Sequence, residues 1–297
     1  MDTSQTYTEL QDSAGNSAER LAFIDFKLRF TGSIKRSDLN EAFSIADASA
    51  SKLIAAYTSL RPNNLIYDRS KKLNVVTESF KPLLSIDSLT ALGMLANGFN
   101  KNKLVDSPIL PYSRIGTLPN VLDVTEVAKI TRAMFNKQAI RCDYISNNSD
   151  NHGSREILPL SLLFDGRNWI FRGYQRGTPD GTKFKNFNFS RTTSVTELGD
   201  DTIQRPHESI EADKLWNEKV LVILTLHNNL NELQKKSVRR DFGMADDDDE
   251  LVLTERAALL WILEHRWFID RREVGSEDNK QYYNFHFKNR EMCIPFL

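Results

Sequence analysis

Cysteine is scarce. The 297-residue sequence has two, Cys142 and Cys293, far apart and in no Cys-x-x-Cys or Cys/His cluster, so neither a disulfide framework nor a structural zinc is supported and both read as packing thiols. No apolar run reaches the length of a bilayer span, and the opening Met1-Asp-Thr-Ser-Gln5 has neither a basic region nor an apolar core, which predicts a cytoplasmic protein. His-Glu-x-x-His, Gly-x-Ser-x-Gly, a Walker loop and Gly-x-Gly-x-x-Gly are missing. The five histidines, His152, His207, His227, His265 and His286, are scattered and share no motif with a nucleophile. The sequence therefore assigns no catalytic residue, no metal and no cofactor. Net charge is also close to nil, with 39 Lys+Arg against 40 Asp+Glu.

What is there is a soluble globular profile, 27% charged and 40% hydrophobic, at a length that holds one large domain or two to three ordinary ones. The neutral total hides an asymmetry. From Arg20 to Ser85 there are 11 Lys+Arg against 6 Asp+Glu, a difference of +5, whereas residues 1 to 19 carry four acids and no cation. A local basic surface fits a polyanion partner. The acidic run Asp246 to Glu250 has no Gly at the turn position and no alternating ligands, so it fails the EF-hand pattern and reads as a solvated loop.

Residues 1 to 16 are polar and predict a loose arm. Leu21, Ile24 and Leu28 then repeat at helical spacing up to Thr31-Gly32, a helix stopped by glycine. Ser33 to Phe43 predicts a second helix, and Asp47 caps a third that runs to Leu60 before Pro62. On a wheel, Ala50, Leu53, Ile54, Tyr57 and Leu60 share the inner arc of this third helix. Ala48, Ser51, Lys52, Ala55, Thr58 and Ser59 share the outer one, small and polar enough to approach base edges in a major groove, although an ordinary solvated face has the same composition. Two β-like runs follow, Leu65 to Tyr67 and Leu73 to Val76, joined by Asp68-Arg69-Ser70-Lys71-Lys72. Three helices and a basic-tipped hairpin, in that order, predict a winged helix-turn-helix. Candidate DNA contacts are Ser49, Ser51, Lys52 and Thr58 at the groove, with Ser49 facing inward on the wheel, and Lys35, Arg36, Arg69, Lys71 and Lys72 at phosphates.

A connecting helix through Ile86, Leu89, Leu92 and Leu95, an irregular stretch from Gly98 to Pro119 and a helix from Asp123 to Asn136 lead to a β-rich region. Its strands are expected at Ala139 to Ser146, Pro159 to Phe164, Trp169 to Tyr174, Phe184 to Phe189 and Val195 to Leu198, with a polar loop at 147 to 153 and a turn at 177 to 181. Here Arg155-Glu-Ile-Leu-Pro159, Asp165-Gly166-x-x-Trp169-x-x-Arg172-x-Tyr174 and Phe184-x-x-Phe187-x-x-Ser190-Arg191 follow one another. This order resembles the WYL domain, and within that family the chain is most similar to the winged helix-turn-helix regulators of bacterial phage-defence islands. The eponymous triplet is Trp169-Ile170-Phe171, of which only the Trp is literal. The resemblance implies an SH3-like β-barrel. It also implies that Trp169, Arg172, Tyr174, Phe187 and Arg191 line or support a pocket, whose aromatics and arginines suit a nucleotide or oligonucleotide effector; barrel core for the aromatics and surface for the arginines is the plainer reading.

Beyond Gly199, a near-continuous apolar run at Val220 to Leu226 predicts a buried strand, followed by a helix at Leu230 to Arg240, a strand at Leu251 to Leu253, a helix at Arg256 to Phe268 and an alternating strand through Tyr283, Phe285 and Phe287. By resemblance this is a small α/β extension used for dimerisation, with Trp261, Trp267 and Phe268 as candidate anchors. The expected fold is α+β and multidomain: a winged helix-turn-helix over 1–84, a helical linker over 85–137, the WYL barrel over 138–200 and the extension over 201–297. The expected function is a sequence-specific transcriptional regulator, a repressor of a phage-defence locus. It would bind an inverted-repeat operator in double-stranded DNA as a homodimer and sense an effector through the barrel. A protein-interaction adaptor whose winged helix docks a partner is the alternative from another class, and a nucleotide-processing enzyme a third.

Overall fold

The computed structural model describes residues 4–105, 110–111, 122–146, 153–177, 183–270, 272 and 282–296. The expected loop at 147–153 and turn at 177–181 lie almost wholly outside these residues, as does much of the stretch from 106 to 119. The chain forms two units, Met1–Arg205 and Pro206–Leu297.

The first unit opens with a helix where a loose arm was expected. Helix α1 (Tyr7–Ala14) is closed by a capping box in which Thr6 and Glu9 satisfy each other's backbone N–H groups, and it buries Tyr7 and Leu10. Helix α2 (Ala18–Thr31) buries ten of its fourteen residues because α1 and two later helices pack around it; Gly32, at φ +81°, ends it in the left-handed cap that only glycine adopts cheaply. The expected second helix is split: β1 (Ser33–Ile34) pairs into a sheet before α3 (Arg36–Phe43) begins. Helix α4 (Asp47–Leu60) has Ala46 at its cap and no side-chain cap, so Asp47 does not cap it; Asp47 instead accepts a hydrogen bond from Asn40 of α3. Strands β2 (Leu65–Asp68) and β3 (Leu73–Val76) form the hairpin, with β1 on the far edge in the order β1-β3-β2.

Helices α5 (Ser88–Asn97) and α6 (Val124–Asn136) are each capped by an aspartate, Asp87 and Asp123, whose carboxylates accept two backbone N–H groups apiece. The β-rich region is one antiparallel sheet of β4 (Ile140–Tyr144), β5 (Ser154–Phe164), β6 (Trp169–Gln175), β7 (Phe184–Asn188) and β8 (Thr192–Glu197), in the order β7-β6-β5-β4-β8. Strand β5 runs unbroken through Pro159 because the register slips between Pro159 and Ser161, a bulge that relieves the ladder of the missing donor. Asp165 makes the β5–β6 turn by accepting the N–H groups of Arg167 and Asn168, with Gly166 at φ +88°. Among the described residues β7 and β8 are not paired, so closure into a barrel is not observed.

In the second unit the sheet order is β10-β9-β12-β11, from β9 (Lys219–Leu226), β10 (Glu250–Arg256), β11 (Ile269–Asp270) and β12 (Phe285–Phe287). Strand β9 was expected to be buried throughout. Its burial alternates instead: Val222, Leu224 and Leu226 face the core while Leu221 is exposed, as expected of an antiparallel strand with one free face. Strand β12, expected to alternate, is buried at all three residues. Preceded by α7 (Lys214–Asn217), the sheet is joined by α8 (Glu232–Asp241), α9 (Leu260–Arg266) and α10 (Arg290–Cys293), and its core is Val222, Leu224, Val238, Leu260, Phe285 and their neighbours. Burial alone would raise the Asp270 carboxyl, but the Arg272 guanidinium and backbone N–H and the His227 ring outweigh it and hold it at about 2.

Candidate nucleic-acid interface and sensor face

On the winged helix the candidate DNA residues fall into three places. Lys35 and Arg36 are exposed at the start of α3, where the Lys35 N–H donates to Asp38 Oδ2 at 2.9 Å; Arg36 lies 3.9 Å from Asp47. Ser49, Ser51 and Lys52 are exposed on the first two turns of α4. Ser49 thus departs from its inward wheel angle: the whole first turn, 47 to 49, is exposed, and burial on α4 starts at Ala50. Thr58 is half-buried, and its hydroxyl donates back to the Ile54 carbonyl at 2.8 Å, which occupies its one proton.

Arg69, Lys71 and Lys72 are exposed at the hairpin tip. Asp68 shapes that tip by accepting the Ser70 N–H and hydroxyl and the Lys71 N–H at 2.7–3.0 Å, bonds that lower its carboxyl pKa, and Lys72 takes φ +53°. Lys71 Nζ also reaches Asp200 Oδ2 at 3.4 Å, whose other oxygen accepts from Gln138.

A buried polar network orients α4, and the sequence pattern did not reveal it. Tyr57, fully buried, donates its hydroxyl to Asp25 Oδ1 at 2.6 Å and accepts from Asn64 Nδ2 at 2.8 Å. Asp25 also accepts the N–H groups of Leu83 and Leu84, and Asn64 closes a ring with both backbone groups of Lys81. Burial pushes the Asp25 carboxyl up against the opposing pull of these donors and Arg29, and burial beside Asp25 raises the Tyr57 phenol. The readable signal was an acid inside the apolar run Phe23-Ile24-Asp25-Phe26. A carboxylate there is tolerable only when paired.

The five candidate effector residues do not share one face of the sheet. The register pairs Phe171 with Phe187, Arg172 with Asn186 and Tyr174 with Phe184, and side chains alternate along β6. Trp169 and Phe187 therefore face the main core, where Phe187 stacks on Phe171 at 5.4 Å and meets Tyr144 edge-on at 5.2 Å. Arg172 and Tyr174 face the opposite side. There Arg172, 3% exposed, donates to Asn186 Oδ1 at 3.1 Å, and Tyr174 packs with Ala139, Leu158 and Phe184. Arg191 is half-buried in the 3-10 turn after β7. Gly173 lies between the two sets because a Cβ there would come within 2.9 Å of Ile157 Cγ2.

In the second unit, Leu221 and Val252 are exposed on the outer face of β9 and β10, beside half-buried Ile223, which pairs with Val252. Of the candidate anchors, Trp261 and Phe268 are exposed, whereas Trp267 packs edge-on against Phe242 at 5.1 Å.

Three family models match the chain. The BrxR transcriptional regulator winged helix-turn-helix domain covers residues 16–95, the WYL domain 126–197, and the BrxR transcriptional regulator C-terminal dimerization domain 219–293. The chain is 31% identical to the DNA-binding transcriptional repressor CapW of Escherichia coli (strain KTE188), over 94% of this chain and 91% of the relative. Identity to the CapW repressor of Stenotrophomonas maltophilia is 30% over 83% and 81%, and to that of Pseudomonas aeruginosa 29% over 92% and 89%.

Proposed function

Since the chain belongs to the CapW family of DNA-binding transcriptional repressors, we propose that it represses a phage-defence locus by binding an inverted-repeat operator and releasing it on binding a nucleotide or oligonucleotide effector. It is a DNA-binding repressor with a C-terminal dimerization domain. The observation that carries the operator reading is the common exposure of Ser51 and Lys52 on α4 and of Arg69, Lys71 and Lys72 on the wing of the same sheet-and-helix module. In a two-fold dimer each α4 enters a major groove and each wing tip follows the backbone, with half-sites about one helical turn, ~34 Å, apart. Ser49, Ser51 and Lys52 read or approach bases, Thr58 holds the helix edge, and Lys35, Arg36 and the wing cations contact phosphates.

We assign the second copy to the outer face of β9 and β10. Leu221 and Val252 are apolar and exposed within the stretch matched by the dimerization domain, and β10 is an edge strand. We assign effector recognition to the side of the WYL sheet that carries Arg172 and Tyr174, with Arg191 at its end and Trp169 and Phe187 supporting it from the core. The sheet itself we read as an SH3-like barrel open between β7 and β8, and the module boundaries as 84/85, 137/138 and 200/201.

The test is fluorescence anisotropy of the purified chain with labelled duplex from upstream of its own gene, against a scrambled duplex, at low and physiological salt. Tight binding to the upstream duplex alone, weakening steeply with salt, is the expected result. Equal binding to both duplexes, or none, overturns the operator reading and leaves a docking adaptor.

A further inference from the structure

Histidines that look scattered in the sequence meet in the second unit. His227 follows β9 directly, Asp270 ends β11 and His286 is the middle residue of β12; the parallel register pairs Asp270 with His286, and the His227 N–H donates to the Asn284 carbonyl at 3.0 Å. All three side chains are buried, and one potential ligand atom from each lies within 4.8 Å of the other two.

His286 is the informative member. It is 7% exposed, and both its ring nitrogens are buried without a hydrogen-bond partner among the described residues. An orphaned buried polar group costs about 1–3 kcal/mol, so a native protein that retains one calls for an explanation such as an ion. The other polar groups here are accounted for. His227 Nε2 lies 3.3 Å from Asp270 Oδ2, its Nδ1 accepts the Asn229 N–H at 3.2 Å, and Arg272 forks onto both oxygens of Asp270, at 3.0 Å to Oδ1 and 2.9 Å to Oδ2.

We propose that His227, Asp270 and His286 form a binding site for a divalent late first-row transition ion, with Zn²⁺ as its representative, inside the C-terminal unit. Two imidazoles and one carboxylate are a borderline donor set suited to zinc and its neighbours rather than to Ca²⁺ or Mg²⁺, and three protein ligands leave a fourth position for water. The 3.3 Å between His227 Nε2 and Asp270 Oδ2 matches the edge of a tetrahedron, ~3.3 Å for bonds of ~2.0–2.1 Å. Arg272 acts as the outer partner that orients the carboxylate.

Two adjustments accompany binding. The imidazoles stack at 4.0 Å and 24°, so their in-plane lone pairs run side by side and His286 turns about its Cβ–Cγ bond to converge on the ion. His227 moves its proton from Nε2 to Nδ1 and gives up the long bond from Asn229. The site is independent of the operator and effector readings.

The test uses the full chain stripped with EDTA, titrated with Zn²⁺ against a chromophoric chelator, and loaded with Co²⁺ for its visible spectrum. One equivalent per chain and a tetrahedral Co²⁺ band are expected. His286→Phe keeps the ring stack and removes both orphan nitrogens, so it folds and dimerises as before, while affinity falls on the order of 100-fold or more and the band is lost. His265→Ala, at an exposed histidine, leaves both unchanged. Absence of binding, or equal binding by the native chain and His286→Phe, overturns the proposal; the latter result would place the ion elsewhere, for instance on the acidic run Asp246 to Glu250.

Discussion

Replacing Tyr57 by Phe tests the network that holds α4. The substitution removes one oxygen from a fully buried site and leaves the ring in place, so no cavity term enters. It breaks two hydrogen bonds, the 2.6 Å bond to Asp25 and the 2.8 Å bond from Asn64. Asp25 keeps the Leu83 and Leu84 N–H groups, and Asn64 keeps the Lys81 carbonyl, so neither is stripped of partners. A bond to a charged group contributes about 1.5–3 kcal/mol and a neutral one about 1 kcal/mol, which places the loss with Asp25 ionised at about 2–4 kcal/mol. For a unit near 200 residues that lowers Tm by about 4–16 °C.

The same geometry fixes the sign of the pH dependence. Burial raises the Asp25 carboxyl, so across the window above its ordinary value the native state holds a proton that the unfolded chain has lost, and stability falls as pH rises. Losing the Tyr57 donor raises that carboxyl further, because the donor favours the ionised form. The gap between the native chain and Tyr57→Phe is therefore widest at neutral pH and narrows in acid. Urea unfolding followed by far-UV circular dichroism at pH 7.5 and pH 5 measures both. A loss below about 0.5 kcal/mol, or a gap that widens in acid, refutes the reasoning.

Three further outcomes are expected. Arg69→Ala with Lys72→Ala removes the four phosphate contacts per dimer proposed for these residues and should flatten the slope of log affinity against log salt by about 3–4, measured by anisotropy at several salt concentrations; an unchanged slope would remove the wing from the interface. Val252→Asp puts an unpaired charge into the proposed dimer face, a cost of about 3–5 kcal/mol, so analytical ultracentrifugation should find the dimer weakened roughly 100-fold or more, and unaltered association would place the interface elsewhere. Burial pushes the Cys142 thiol up to about 12 and raises that of Cys293, so a thiol reagent at pH 8 should label neither in the folded chain and both in denaturant.

Where a residue acts on its own backbone neighbours, the sequence could be read. Gly32 ending α2, Asp123 opening α6 and the Asp165-Gly166 turn are local chemistry with one outcome. Helix α1 had such a signal in Thr6-x-x-Glu9, but a polar composition masked it. What the sequence hid is set by pairing across strands and helices. The partners of Asp25 lie 32, 58 and 59 residues away, and His227 meets His286 only because β12 pairs with β9. The resemblance groups the candidate effector residues around one pocket, yet odd and even positions of β6 point to opposite faces. Spacing within a motif therefore located the sheet and left its sides undivided.

In the first unit the winged-helix module and the WYL sheet share one core, which constrains how the proposed effector would act. Helix α6 packs against both α2 and β8; its Arg132 donates to the Arg29 carbonyl at 2.9 Å and forks onto Glu197, while Val195 of β8 donates to Glu126. Helix α4 is fastened to the same α2 through Tyr57 and Asp25. A shift of β8 is thus opposed by α6 and felt at α2 rather than absorbed in a flexible joint. Displacing such a packed arrangement from 99:1 to 1:99 takes a ligand that binds the second state better by about 5.5 kcal/mol. A single charge-assisted hydrogen bond cannot supply that, since it contributes about 1.5–3 kcal/mol. On the proposed reading of the WYL sheet as a sensor, the effector would therefore have to engage several groups at once, for instance Arg172, Arg191 and a stacked base at ~1–3 kcal/mol.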